Sequence, residues 1–98
     1  MEHFELKFIA NDKRLVRSSL VQEKKIMDET VLLFPSTGNY YTLNQTGTVI
    51  WQYCAESRKL EEILSFMSRE YQMEKSALEE EIGCYLGELV QEGILEIH

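Results

Sequence analysis

The sequence predicts a small α+β domain, a three-stranded antiparallel sheet followed by three helices. Three observations lead there. Strand-like runs dominate the chain before Asn44, and three helical apolar stripes follow one another after it. Between two of the strand-like runs lies PSTGN, a five-residue cluster of turn formers of the kind that closes a hairpin. The 98 residues suit one domain, taken as 1–98 with residues 1–12 as an N-terminal extension.

Taken in order, Phe4 to Phe8 (FELKF) alternates with Phe4, Leu6 and Phe8 on one side, a short strand signal. Asn11 and Asp12 mark a turn. Leu15 to Glu23 is mixed, with a strand expected at Ser19 to Glu23. Thr30 to Phe34 (TVLLF) is β-branched and apolar and reads as a buried strand. Tyr40 to Leu43 is the returning strand of the hairpin, the third and last of the sheet.

Asn44 then stands where a helix N-cap belongs, since its side chain can accept from the free amides of a first turn. Gln45 to Tyr53 places Val49, Ile50 and Tyr53 on one face, with Trp51 expected in the core. Ala55 to Lys59 breaks the pattern, and Leu60 to Tyr71 restarts it with Leu60, Ile63, Leu64, Met67 and Tyr71 as a stripe. Glu61 and Glu62 lie in its first turn, where the helix dipole favours negative charge. From Lys75 to Glu92, Leu78, Ile82, Tyr85, Leu86, Leu89 and Val90 define a third stripe, and Gly93 stands where a C-terminal cap belongs. Ile94 to Ile97 is a short terminal strand or extended tail.

Composition narrows the function classes. The chain is 44% hydrophobic and 28% charged, a globular balance. Its net charge of −7 disfavours nucleic acid and favours a neutral or basic partner. No apolar run spans a bilayer and MEHFELKF has no signal-peptide pattern, so no membrane role and a cytoplasmic location are expected. Cys54 and Cys84 lie far apart, without a CxxC motif, and histidine occurs only at positions 3 and 98. Neither a zinc site nor a disulfide is expected, and both cysteines read as small core-filling residues. No Ser or Cys has a base that could activate it, so no catalytic constellation can be assembled. Glu79, Glu80 and Glu81 point in different directions on a helix and read as a solvated face. Gly83 and Gly87 share a helix face, which suits close packing of another backbone or a flat docking surface.

Tyr40 and Tyr41 face opposite sides of their strand, so one can enter the core while the other cannot. The outer one is either a good strand former or part of a surface that binds something along the strand. That strand, Tyr40 to Leu43, has no Pro or Lys to block its edge, and an extended peptide can add to such an edge. With the last helix alongside, its apolar stripe would form the floor of a groove.

Gly38-Asn39-Tyr40-Tyr41-Thr42-Leu43-Asn44, followed by Gly47 and Ile50-Trp51, resembles the "G-x-Y-Y-x-L-N, then G, then I-W" signature of PqqD-like proteins. Leu60-Glu61-Glu62-Ile63 is similar to the start of their second helix, and Leu86 to Leu95 to their closing "L-x-x-L-x-x-x-G-L/I-L" pattern. The resemblance runs from about Glu29 to Ile97. It implies a winged helix-turn-helix-like domain that is not an enzyme and needs no cofactor. Such a domain is a recognition element for ribosomally made, post-translationally modified peptides. It captures the leader segment of a precursor peptide as an added strand between the third strand and third helix, and presents it to a partner enzyme. That enzyme is a radical SAM enzyme or a lasso-type leader peptidase. Carried over by position, the peptide-binding residues are Tyr40, Tyr41, Thr42 and Leu43 on the strand and some of Leu78, Ile82, Tyr85 and Leu86 on the helix. The acidic charge suggests a leader with basic residues near its contact segment. Two positions depart from the family pattern. Lys59 stands where Thr or Ser is common, which weakens the second helix's cap, and Gly83 and Gly87 replace larger or charged residues.

Two other readings compete. A winged-helix nucleic-acid binder needs a basic reader helix, whereas Lys75 to Glu92 carries one Lys against Glu79, Glu80, Glu81, Glu88 and Glu92. A dimerisation module, with a homodimer as its product, would have FELKF pair with the same strand edge within one chain or between two.

Overall fold

The computed structural model describes residues 12–98, with β1 (Arg14–Arg17), β2 (Gln22–Ile26), β3 (Glu29–Phe34), β4 (Asn39–Leu43), α1 (Gln45–Tyr53), β5 (Arg58–Lys59), α2 (Leu60–Tyr71), α3 (Lys75–Gln91) and β6 (Leu95–Ile97). The strand expected at Phe4–Phe8 lies outside the described residues. Two antiparallel sheets form, in the strand orders β2-β3-β4 and β5-β1-β6. The first is the expected three-stranded sheet. Its hairpin connection is four residues, 35–38, rather than the five of PSTGN, because Asn39 already pairs with Phe34 as the start of β4. The three helices follow it in the expected order.

The strand expected at Ser19–Glu23 falls instead at Gln22–Ile26. Ser18 accumulates local contacts that end the chain's extended run: its hydroxyl accepts from the Leu20 amide at 3.1 Å, and residues 19 and 20 form a turn. β1 escapes a pattern search because two arginines bracket its buried residue, Leu15. Arg17 lays its guanidinium over the Trp51 ring at 4.1 Å and donates to the Trp51 carbonyl through Nε and Nη2, at 2.9 and 2.6 Å. The Trp51 indole N–H donates in turn to Glu23 Oε1 at 2.8 Å, so β1, β2 and α1 meet around one tryptophan.

One core fills the space between sheets and helices. Leu15, Leu32, Leu43, Ile50, Trp51 and Ile63 are among its buried members, together with Leu78, Ile82, Leu86 and Leu89 of α3. Tyr53 stacks flat on Phe66, ring centroids 4.0 Å apart, and joins α1 to α2. Tyr71, expected in the α2 stripe, is exposed at the helix end. Cys54 is buried as expected, but Cys84 is exposed because it sits on the far side of α3 from the Ile82–Leu86–Leu89 stripe. Gly83 and Gly87 are both buried.

The helix ends follow their sequence signals. Asn44 Oδ1 accepts from the Gly47 amide at 2.8 Å and caps α1. Lys59 offers no acceptor, but Glu62 reaches back to the Lys59 amide at 2.7 Å, so half of a capping box holds the start of α2. Gly93, at φ +78°, closes α3. Its amide donates to the Val90 carbonyl and that of Ile94 to the Leu89 carbonyl, the bond pair of a Schellman motif.

Candidate functional site

β4 is an edge strand, paired with β3 on one side alone among the described residues. Which of its backbone groups are free follows from the hairpins. Met27 and Asp28 are the only residues between the paired Ile26 and Glu29, and such a two-residue turn is closed by a hydrogen-bonded pair. Glu29, Val31 and Leu33 therefore turn their backbone groups toward β2, and Thr30, Leu32 and Phe34 turn theirs toward β4. Their partners Leu43, Tyr41 and Asn39 point back at β3. The N–H and C=O groups of Tyr40 and Thr42 are left facing the open edge.

Side chains alternate with the same parity. Tyr40 and Thr42 project from the outer face, and Tyr40 is 72% exposed. Tyr41 and Leu43 face inward, Leu43 into the core and Tyr41 half-buried against it. The tyrosine pair thus divides as strand geometry requires.

Beyond Tyr41 stands α3. Tyr85 is half-buried, and its hydroxyl donates to Asn44 Oδ1 at 3.2 Å, the same atom that caps α1. α3 is thereby tied to the junction between β4 and α1. The tie needs a glycine at 47, where a Cβ would overlap the Tyr85 hydroxyl and press on the ring. Burial pushes the Tyr85 hydroxyl up to about 12, aided by Tyr41 and the Glu88 charge. Burial also raises Tyr41, and Glu88 adds to this by its charge and as a hydrogen-bond acceptor, with a further contribution from Glu92. Both hydroxyls stay protonated at neutral pH, Tyr41 as a donor toward Glu88 and Tyr85 as a donor to Asn44. Glu81, Tyr85, Glu88 and Glu92 recur at spacings of four, three and four, so they share one face of α3.

The eight residues expected to bind a peptide fall into two groups. Leu43, Leu78, Ile82 and Leu86 are buried in the core at 5% exposure or less. Tyr40, Tyr41, Thr42 and Tyr85 surround the open edge of β4. In the sequence Glu88 counts only among the acidic residues that disfavour a nucleic-acid reader helix, and nothing in its local pattern links it to Tyr41. Gly47 stood in the family signature without a reason, which the Tyr85 hydroxyl now supplies.

Other features lie elsewhere. A surface depression between α1 and α2 is lined by Val49, Tyr53, Phe66 and Tyr71 and does not touch β4. No cluster of three metal-ligating side chains occurs among the described residues. Burial raises the Cys54 thiol to about 11 against the lowering effect of Arg17 and Arg58, which leaves it a poor nucleophile. No helix of the described residues is long and apolar enough to cross a membrane.

Residues 29–95 match the family described as Coenzyme PQQ synthesis protein D (PqqD). The chain belongs to the PqqD family. The matched span takes in β3, β4 and all three helices, and so the whole of the open edge and its wall. No curated protein matches the chain. Among solved structures, this PqqD-family chain is similar to TbiB1, solved in complex with the TbiA(β) leader peptide. The two are 32% identical with a TM-score of 0.72, over 83% of this chain and 94% of that one.

Proposed function

We propose that this chain is a non-catalytic binding protein for the leader segment of a ribosomally synthesised precursor peptide. The leader adds to β4 as a further strand, its backbone pairing with Tyr40 and Thr42 and its inward side chains lying between β4 and α3. The observation that carries this reading is the open β4 edge, unguarded by Pro or Lys and backed by Tyr41 and Tyr85, in a PqqD-family chain. Its similarity to TbiB1, solved with a leader peptide, supports the same reading. The bound precursor is handed to a maturation enzyme, either a radical SAM enzyme or a lasso-type leader peptidase, in the cytoplasm. The chain itself brings no cofactor or metal to the reaction, and its acidic α3 makes it a poor match for nucleic acid.

The test is retention by a tagged full-length copy from its own cell lysate. A small precursor peptide together with a radical SAM enzyme or a protease is the expected result. Recovery of nucleic acid alone, or of neither peptide nor enzyme, would overturn the assignment.

A further inference from the structure

The open edge has an inner and an outer side, and the inner side is acidic. Tyr41 turns its backbone groups to β3, so it occupies a non-hydrogen-bonded position with respect to any strand added on its other side. In an antiparallel pair the residue directly opposite such a position projects to the same face, with Cβ atoms about 4.5–5.5 Å apart. The guest residue opposite Tyr41 therefore points toward α3. There it meets the stripe that contains Tyr85, Glu88 and Glu92, whose two carboxylates act on the Tyr41 hydroxyl. The Tyr41 hydroxyl donates to Glu88 while that of Tyr85 is spent on Asn44, so the carboxylates keep acceptor capacity to spare. Among the described residues the ion pairs of this chain are Arg17–Glu23, Arg58–Glu56 and His98–Glu96, so neither Glu88 nor Glu92 has a cationic partner there.

We infer that Glu88, seconded by Glu92, is a specificity residue that selects a lysine or arginine at the guest position opposite Tyr41. The inference rests on the strand-addition reading given above, with the β4 edge as the site and the glutamates as its selector. A cation there places its methylene stem along the Tyr41 ring and its charged head against Glu88, a combination that neither an acidic nor a purely apolar side chain reproduces. Alternate guest positions lie opposite Tyr40 and Thr42 on the outer face and carry no such requirement.

The test uses a displayed library of short random peptides, selected on the full chain and separately on Glu88→Gln, which keeps an acceptor for Tyr41 and removes the charge. Selection on the native chain enriches Lys or Arg at one position, and selection on Glu88→Gln loses that enrichment. A selected binder is then synthesised with Lys, norleucine or Glu at that position and titrated. Lys to norleucine weakens binding roughly five- to tenfold on the native chain and less than about twofold on Glu88→Gln. The Glu peptide recovers affinity on Glu88→Lys. Equal affinities for Lys and norleucine peptides, or a Lys preference that survives in Glu88→Gln, would overturn the inference. Hydrogen exchange at the Tyr40 and Thr42 amides, measured with the norleucine peptide, reads strand addition independently of charge. Protection there without a Lys preference removes Glu88 as selector and leaves strand addition standing. No protection with any selected peptide removes both.

Discussion

β2 and β4 flank the same central strand, and each leaves one row of backbone groups unpaired among the described residues. The two edges are built differently. β2 reads QEKKI and is exposed along its whole length. Its open edge belongs to Glu23 and Lys25, and both side chains lie on the inner face. Glu23 reaches Trp51 and Lys25 donates to the Thr30 hydroxyl at 2.6 Å. Charged groups directed inward on an edge strand discourage any further strand from joining. β4 reads NYYTL, has no charge of its own, and turns Tyr41 rather than a lysine toward the helices. One edge of a single sheet carries inward charges, and the other, unpaired among the described residues, is uncharged.

The largest effect should come from proline on the open edge. Thr42→Pro removes a donor that faces the guest, and affinity for a cognate leader peptide should fall roughly ten- to hundredfold by titration, because the guest carbonyl loses its partner. Lys25→Pro removes the corresponding donor of β2, and its affinity should stay unchanged. Equal losses in the two variants would erase the distinction between the edges.

Next comes the wall behind the open edge. Gly47→Ala places a methyl where the Tyr85 hydroxyl sits, and should lower stability by about 1–3 kcal/mol in denaturant titration while weakening peptide binding. Tyr85→Phe removes only the bond to Asn44, at a cost of about 1 kcal/mol. The pH dependence gives that variant a second signature. The Tyr85 hydroxyl has a folded value of about 12 against an ordinary 10.0, so its protonated form is the one favoured by folding. This contribution is whole below pH 10.0 and declines as pH rises toward 12. Tyr85→Phe should flatten the alkaline fall in stability and leave the profile unchanged at neutral pH.

The smallest effect lies at the tip of the β2–β3 hairpin. Met27 is 94% exposed and has φ +58°, a region where a side chain costs about 1–2 kcal/mol relative to glycine. Met27→Gly should stabilise the fold by about 1 kcal/mol and leave leader binding untouched. A loss of leader affinity in this variant would draw the closed side of the sheet into recognition.

The helices were legible because their determinants are local. Asn44, the stripes of α2 and α3, and Gly93 all act within a turn or two of where they stand, and the hairpin announces itself through PSTGN. β1 was not legible because its arginines cover Trp51 and reach Ser57, contacts made more than thirty residues away. β5 is too short to show a period and exists by pairing with β1, while the terminal strand or tail read at Ile94 to Ile97 becomes β6 through the same strand. In the site, composition marked β4 as unblocked, but the division of labour between Tyr40 and Tyr41 depends on register, which the two-residue turn at Met27–Asp28 sets from the opposite side of the sheet. The stripe Leu78–Ile82–Leu86 looked available to a peptide because periodicity says which residues share a face, not what already covers it. Glu88 was invisible for the same reason, since its relation to Tyr41 is created by packing.

A guest strand on β4 would leave the β2 edge untouched, a difference that can be read residue by residue. Amide hydrogen exchange on the full chain, with and without a cognate leader peptide, tests it most directly. Binding should add protection at the Tyr40 and Thr42 amides and leave those of Glu23 and Lys25 unchanged. New protection at Glu23 and Lys25, or none at Tyr40 and Thr42 when the peptide is bound, would contradict the account.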